Sequence, residues 1–263
     1  MKRSRGYAPY ASSNHQDLIL HRMLSYAHED SVGVFDLDGC LFDTRTRQVA
    51  IFREFASQQE AFDLLVVTEE HFVDWSLERT LQEMGISSDR IAELLPPLRK
   101  FWAPRFFNGA YASKDPAMPG AVTLVKECQE QGMKIVYLTG RHHEMREGTI
   151  SALKAYGFPY DPPRAQLITK PDPYMDDTTY KAEALEQIFQ LGSPLLFIDN
   201  EPSNVNAFHE ACPEAYTVFI ESDHSPKPVA PHRSIPWIRS FYRSHWPNAY
   251  TEEPQYILDG PFV

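Results

Sequence analysis

The sequence predicts an α/β protein: a Rossmann-like, mostly parallel sheet covered by helices on both faces, with a helical insertion after its first strand. Two observations carry this expectation. From Pro119 onward, short apolar strands alternate with amphipathic helices, the pattern of repeated β-α units. Between the first strand and this region lie about 70 residues, 45–117, whose apolar residues recur at helical spacing.

Each element has its own signal. Residues 1–30 are polar apart from a short helical patch over 18–24. Ser31–Phe35 is an apolar strand that runs straight into Asp36-Leu37-Asp38-Gly39, two carboxylates and a turn. In the insertion, Val49, Phe52 and Phe55, then Leu77, Leu81 and Met84, mark helical faces, and Pro96-Pro97 is expected to break the region. Ala121, Leu124, Val125 and Cys128 form an i, i+3, i+4, i+7 stripe that Gly132 ends, and 134–138 is the next strand. A helix over about 143–156 closes on Gly157 with Pro159 just beyond. Then come a strand at 166–169, a helix at 178–191, a strand at 195–198, a helix over Pro202–Ala211 and a last strand over Tyr216–Ile220. The tail from Pro226 holds seven of the 21 prolines, with Trp237, Phe241, Tyr242, Trp246 and Tyr250. Disordered tails are poor in aromatics, so an extended segment with one short helix, docked on the core, is expected. The resulting organisation is an N-terminal extension (1–30), a core (31–44 and 118–222), the helical insertion (45–117) and the docked tail (223–263).

Composition narrows the function classes. The 263 residues are 43% hydrophobic and 23% charged, ordinary for a globular protein that buries a sizeable core. No apolar run approaches the roughly 20 residues of a bilayer span, so no membrane partner is expected. The basic start (Lys2, Arg3, Arg5) has no apolar stretch behind it, which speaks against a secretory signal. A net charge of −11 disfavours extended nucleic-acid binding but leaves room for a small anion at a local cationic site. Cys40, Cys128 and Cys212 are odd in number and scattered, which points to reduced thiols in a cytoplasmic setting.

Ligands of open α/β sheets sit beyond the carboxyl ends of the strands. Those ends supply Asp36 and Asp38, then Thr139-Gly140-Arg141, then Asp199-Asn200, and the helix before the last of these carries Lys181. There is no G-x-G-x-x-G and no Walker A loop, which argues against a dinucleotide or P-loop site. Carboxylates on neighbouring strand ends suit a hard, oxygen-liganded cation, Mg²⁺ first. Such an ion together with a lysine and a hydroxyl suits a phosphoryl group.

Four segments carry a family resemblance. The run from Phe35 to Thr44 (Phe-Asp-Leu-Asp-Gly-Cys-Leu-Phe-Asp-Thr), the strand end Tyr137-Leu138-Thr139-Gly140-Arg141, Lys181, and Phe197-Ile198-Asp199-Asn200 resemble, in order, the four motifs of the haloacid dehalogenase superfamily, specifically its phosphatases. The resemblance spans residues 31–222. It implies that Asp36 is the nucleophile that forms an aspartyl-phosphate. Asp38 would protonate the leaving alcohol, deprotonate water and lend its carbonyl to Mg²⁺. Thr139, Gly140 and the following backbone would bind phosphate oxygens, and Lys181 would pair with Asp36 and the transferring phosphoryl group. The insertion would be a helical cap. An acid at Asp38 disfavours the dehalogenases, whose leaving group needs no proton. Many members end the fourth motif in two acids, whereas this chain has Asp199-Asn200, so either residue could be the metal ligand.

Plainer readings stand beside these. Asp36 and Asp38 could cap a turn or helix. Arg141, His142 and His143 read as the first turn of a helix, with Arg141 at most touching substrate. Cys40 reads as a small packing residue, and Phe101-Trp102 and Phe106-Phe107 as cap core rather than a stacking platform. Lys170 competes with Lys181 for the third motif. At a strand end before a proline it reads as a solvent-exposed lysine, whereas Lys181 lies mid-stripe with Ala184, Leu185 and Ile188 and needs a buried partner. The expectation is therefore a Mg²⁺-dependent phosphomonoester hydrolase acting on a small phosphorylated metabolite. The alternatives are a nucleotide or nucleic-acid end phosphatase, or a non-catalytic phosphate-binding module.

Overall fold

The computed structural model describes residues 14–243. Six parallel strands form one sheet in the order β3-β2-β1-β4-β5-β6. They are β1 (Ser31–Phe35), β2 (Lys134–His142), β3 (Ala165–Lys170), β4 (Ser193–Asp199), β5 (Tyr216–Ile220) and β6 (Trp237–Ile238). The strand order reverses between β1 and β4, the crevice at which open sheets bind ligands. Phe35 pairs with Tyr137 on one side and with Ile198 on the other, which brings Asp36, Thr139 and Asp199 to the same edge.

Side chains alternate between the two faces, as the pleat requires. One face carries Phe35, Ile135, Tyr137, Leu196, Ile198 and Val218, packed on α1 (Asn14–Ser25) and α6 (Ala121–Glu130). The other carries Val32, Val34, Val136, Leu138 and Phe197 under α8 (Asp177–Phe189) and α9 (Pro202–Ala211). Helix α7 (Arg146–Tyr156) completes the first layer through Ala152 and Leu153. Ile19, Leu20, Met23 and Leu24 of α1 are buried in this layer, so the segment expected as a polar extension contributes core.

The insertion has a core of its own, Phe52, Phe55, Leu64, Phe72, Leu81, Ile91, Leu94 and Leu98, drawn from α2 (Arg45–Gln58), α3 (Leu77–Glu83), α4 (Ser88–Phe106) and the short turns between them. Helix α4 runs through Pro96, Pro97 and Pro104 instead of breaking at the first pair. Pro96 and Pro97 are exposed, as are Ala92 and Glu93 one turn earlier, so the carbonyls that lose an N–H partner face water. The opposite face is pinned by Ile91, Leu94 and Leu98. A short helix, α5 (Gly109–Ala112), leads the chain back to the sheet.

The tail's expected short helix does not fall among its described residues, 223–243. These residues add a sixth strand, β6, beyond β5, with Ile238 and Phe241 buried in the first core layer. Trp246 and Tyr250 lie outside the described residues. All three cysteines are buried and unpaired. Among the described residues no helix is long and apolar enough to cross a membrane.

Candidate active site

The strand ends open into a cleft of about 310 Å³ between sheet and insertion. Asp36, Asp38, Thr139, Gly140, Arg141, Lys181, Asp199 and Asn200 all line it, so every candidate read from the sequence is brought to one place.

Lys181 projects from α8 into the carboxylates. Its Nζ donates to Asp36 Oδ1 at 2.6 Å and to Asp199 Oδ2 at 2.7 Å, and all three residues are buried. Burial pulls the ammonium pKa down, but Asp199 and Asp36 outweigh it and hold Lys181 above the ordinary lysine value. Burial raises the Asp36 pKa, Asp199 and Asp38 add to the rise, and Lys181 only partly counters them. Asp199 is fully engaged: its Oδ1 accepts from the Glu201 N–H at 2.8 Å, and its Oδ2 also accepts from Asn204 Nδ2 at 3.1 Å. Asn200 donates from Nδ2 to the Asp223 carbonyl at 2.7 Å, and its own side-chain oxygen has no partner among the described residues. Gly39, in the left-handed region at φ +79, lies against this amide, and a Cβ there would collide with it.

Lys170 is not the solvent-exposed lysine expected. It is buried, and donates to Asp177 Oδ1 at 2.5 Å and to the Met175 carbonyl at 3.1 Å, because the first turn of α8 folds over the end of β3. The Asp177 carboxylate also packs on Gly140 so closely that a Cβ there would lie 2.6 Å from its Oδ2. Thr139 is buried and its hydroxyl oxygen accepts from the Arg141 N–H at 3.2 Å.

Arg141 also departs from expectation. It stands in β2, not in a helical turn, since the strand runs on to His142 after a register shift. Its side chain is buried and turned onto Asp38. Arg47 of α2 and Asp115, which the sequence did not single out, complete this group. Burial pushes the Asp38 carboxyl up, but Arg141 and Arg47 overcome it and hold the pKa at about 2. His142 and His143 take no position in the cleft lining; His143 Nδ1 lies 2.8 Å from Thr169 Oγ1. Cys40 is a buried packing residue with its thiol 3.7 Å from the Ile198 carbonyl.

Phe101 and Trp102 pack against the insertion's core, as expected. Phe106 and Phe107 instead line the cleft with Trp75, and Phe107 is 48% exposed. Among the described residues, no three His, Cys, Asp or Glu side chains stand together as a metal cluster. Among the described residues, the second oxygen of Asp36 and the Asn200 amide oxygen remain open, with the Asp38 carboxylate drawn toward its arginines.

A parallel α/β sheet with a lysine-bridged pair of aspartates at its switch point defines a phosphoryl-handling class of site. Residues 98–201 match the family model of HAD superfamily, subfamily IIIB (acid phosphatase). That match covers 104 of the 263 residues, and over it the chain is similar to phosphatases of the haloacid dehalogenase superfamily. No curated protein matched. Among solved structures, the chain is similar to protein tyrosine kinase A (PtkA) of Mycobacterium tuberculosis, with 17% identity, TM-score 0.50, 80% of this chain and 94% of that one covered. It is also similar to a class C acid phosphatase of Bacillus anthracis with tungstate bound, at 16% identity and TM-score 0.39, covering 74% and 67%. A third is a structure of a Pnkp1/Rnl/Hen1 RNA repair complex, at 22% identity and TM-score 0.40, covering 46% of this chain. The match spans only 37% of that chain's length.

Proposed function

We propose that the chain hydrolyses phosphomonoesters of small molecules, with Asp36 as nucleophile. The observation that carries this is the Lys181 ammonium held between Asp36 and Asp199 at the sheet edge, 2.6 and 2.7 Å away. One oxygen of Asp36 is fixed by the lysine, and the other, at the cleft, has no partner among the described residues. That free oxygen attacks phosphorus, the ester bond breaks, and the alcohol oxygen takes a proton from Asp38. Water, deprotonated by Asp38, then releases phosphate and restores Asp36. The Thr139 hydroxyl and the Gly140 N–H would bind the phosphate oxygens, while the Arg141 N–H is given to Thr139 Oγ1. Asp38 rests as a carboxylate, which suits the second half. For the first half, a phosphate dianion entering beside it opposes the two guanidiniums and raises its affinity for a proton.

The donor set fits Mg²⁺. Its members would be the Asp36 carboxylate, the Asp38 carbonyl and the Asn200 side-chain oxygen. Asn200 is favoured over Asp199, whose two oxygens are already taken by Glu201, Lys181 and Asn204. Buried carboxylates in excess of the one lysine leave Asp36 short of positive charge, and oxygen donors of this kind match a hard cation. When bound, the ion would neutralise charge on the phosphoryl group. The insertion covers the site and, with Trp75, Phe106 and Phe107, chooses the leaving group.

The test is hydrolysis of an aryl phosphate with Mg²⁺ and with EDTA, followed by a screen of sugar phosphates, nucleotides, phosphoamino acids and a 3′-phosphorylated oligonucleotide. Mg²⁺-dependent release of phosphate is expected. No release from any ester, with the folded protein at high concentration, overturns the reading.

A further inference from the structure

Arg47 and Arg141 approach Asp38 from different elements, α2 of the insertion and β2 of the sheet, yet both bond the same atom. Arg47 Nη2 lies 3.0 Å from Asp38 Oδ1, and Arg141 donates to it from Nη2 at 2.5 Å and Nε at 3.1 Å. Asp38 Oδ2 accepts nothing from the described residues, and the side chain is 14% exposed at the cleft. An ion pair kept only for stability would share its donors between both carboxylate oxygens, the fork-to-fork arrangement that arginine favours. Here three donors crowd one oxygen and leave the other to the cleft.

The two guanidiniums are themselves fixed. Asp115, fully buried, holds its Oδ2 3.0 Å from Arg47 Nη2 and 3.3 Å from Arg141 Nη2. Two positive and two negative charges thus balance. Arg47 donates from Nη1 to the Phe106 carbonyl at 2.7 Å, and its guanidinium lies 4.1 Å from the Phe106 ring centre. Arg141 donates from Nη1 to Thr149 Oγ1 at 3.2 Å. Neither arginine can follow Asp38 if it turns, so Asp38 is held to them.

We propose that Arg47, Arg141 and Asp115 are positioning residues that anchor Asp38 by Oδ1 and thereby present Oδ2 as the oxygen that gives and takes the proton. The proposal rests on the phosphomonoesterase reading. It separates these residues from those that touch the phosphate: their effect must pass through Asp38, and must scale with how much protonation a leaving group needs.

The experiment measures kcat/KM of Arg47→Met, Arg47→Lys and Asp115→Asn on an alkyl and an aryl phosphate, each alone and combined with Asp38→Asn. Circular dichroism and thermal melts check folding. Positioned proton transfer is worth about 10²–10⁴-fold, so Arg47→Met should lose on the order of 10–100-fold on the alkyl ester and only a few-fold on the aryl ester. In the Asp38→Asn background the alkyl-specific part of that loss should vanish. Arg47→Lys should recover part of it, because it restores the charge but not the fork. Equal losses on both esters, or a loss that persists without Asp38, overturn the proposal and make these residues phosphate binders or plain structure. If Arg47→Met does not fold, Arg47→Lys and Asp115→Asn carry the same comparison, and an unchanged alkyl-to-aryl ratio in both is equally fatal. A wild type that hydrolyses neither ester sinks the phosphomonoesterase reading instead, which is a distinct result.

Discussion

Lys181 Nζ sits 2.6 Å from Asp36 Oδ1, a buried contact between residues 145 positions apart in the sequence. The same ammonium bonds Asp199, so removing it strands two buried carboxylates. Lys181→Met should therefore cut turnover at neutral pH by on the order of 10²–10³-fold, the cost of deleting one preorganised donor. It should also destabilise the fold by about 3–5 kcal/mol. Lys170→Met breaks a pair whose partner, Asp177, is 38% exposed at its side chain and can be resolvated. That variant should stay within several-fold of wild type. Steady-state kinetics and urea denaturation of the two proteins decide, and the reverse ranking would move the role to Lys170.

Asp36→Asn should abolish turnover while leaving the fold intact, since an amide oxygen cannot form the acyl phosphate. Acid-quenched wild type, mixed with a radiolabelled phosphate ester, should carry label that hydroxylamine releases, and the variant should carry none. Label retained by Asp36→Asn would place the nucleophile elsewhere.

The convergence of Asp36, Asp199 and Lys181 was legible in the sequence because parallel strands end on one edge and because a lysine inside an apolar helical stripe must find a charge. Arg47 and Asp115 were not legible. Their meeting depends on the insertion leaving and rejoining the sheet side by side: Phe42 bridges Ala117, and Met118 donates to the Leu41 carbonyl at 2.9 Å. That closure brings Asp115 under Asp38 from 77 positions away, and no local periodicity records it. Helix α4 misled for a different reason. Proline always removes a helix bond, but the freed carbonyl is costly only where it lacks water, and exposure at Pro96 and Pro97 is a tertiary fact. Strand β6 has only two residues, too few to show alternation.

The depressed Asp38 pKa gives stability a defined dependence on pH. The carboxyl is held at about 2 in the folded protein against an ordinary 3.8. A lowered acid pKa contributes stability that is present above the unfolded value and lost as pH falls through the folded one. At 1.36 kcal/mol per pKa unit the contribution is about 2 kcal/mol. Asp38→Asn should be less stable than wild type by about that amount at pH 6. The gap should narrow below pH ~4 and close near pH ~2. Urea denaturation of both proteins at pH 6, 4 and 3 checks this, and a gap independent of pH would show that the arginines do not set it.

Gly39 combines a left-handed backbone with the Asn200 amide pressed against its α-carbon. Gly39→Ala should cost about 1–2 kcal/mol from the backbone alone, and it must also displace Asn200 from the Asp223 carbonyl. If Asn200 is a metal donor, the variant's requirement for Mg²⁺ in an activity titration should rise several-fold more than its KM for ester. Loss of stability with an unchanged Mg²⁺ requirement would leave Asp199 as the ligand.

Phe107 is the place where the insertion can act on substrate choice without touching the chemistry. It follows α4, is 48% exposed and lines the cleft beside Trp75 and Phe106, and it makes none of the hydrogen bonds that hold Asp36, Asp38 or Lys181. Its ring packs edge-on against Phe106 at 5.2 Å and against Trp102 at 5.8 Å, so truncation removes one wall and spares the insertion's core. An apolar contact to a leaving group is worth about 1–3 kcal/mol, or roughly 10–200-fold in kcat/KM. Phe107→Ala should therefore weaken kcat/KM for esters with large, flat leaving groups within that range, mainly through KM, and leave a small alkyl phosphate within about two-fold. Steady-state kinetics over a series of esters graded by leaving-group size measures it. A uniform loss across the series would mean that Phe107 supports the closed arrangement of the insertion rather than selecting what enters beneath it.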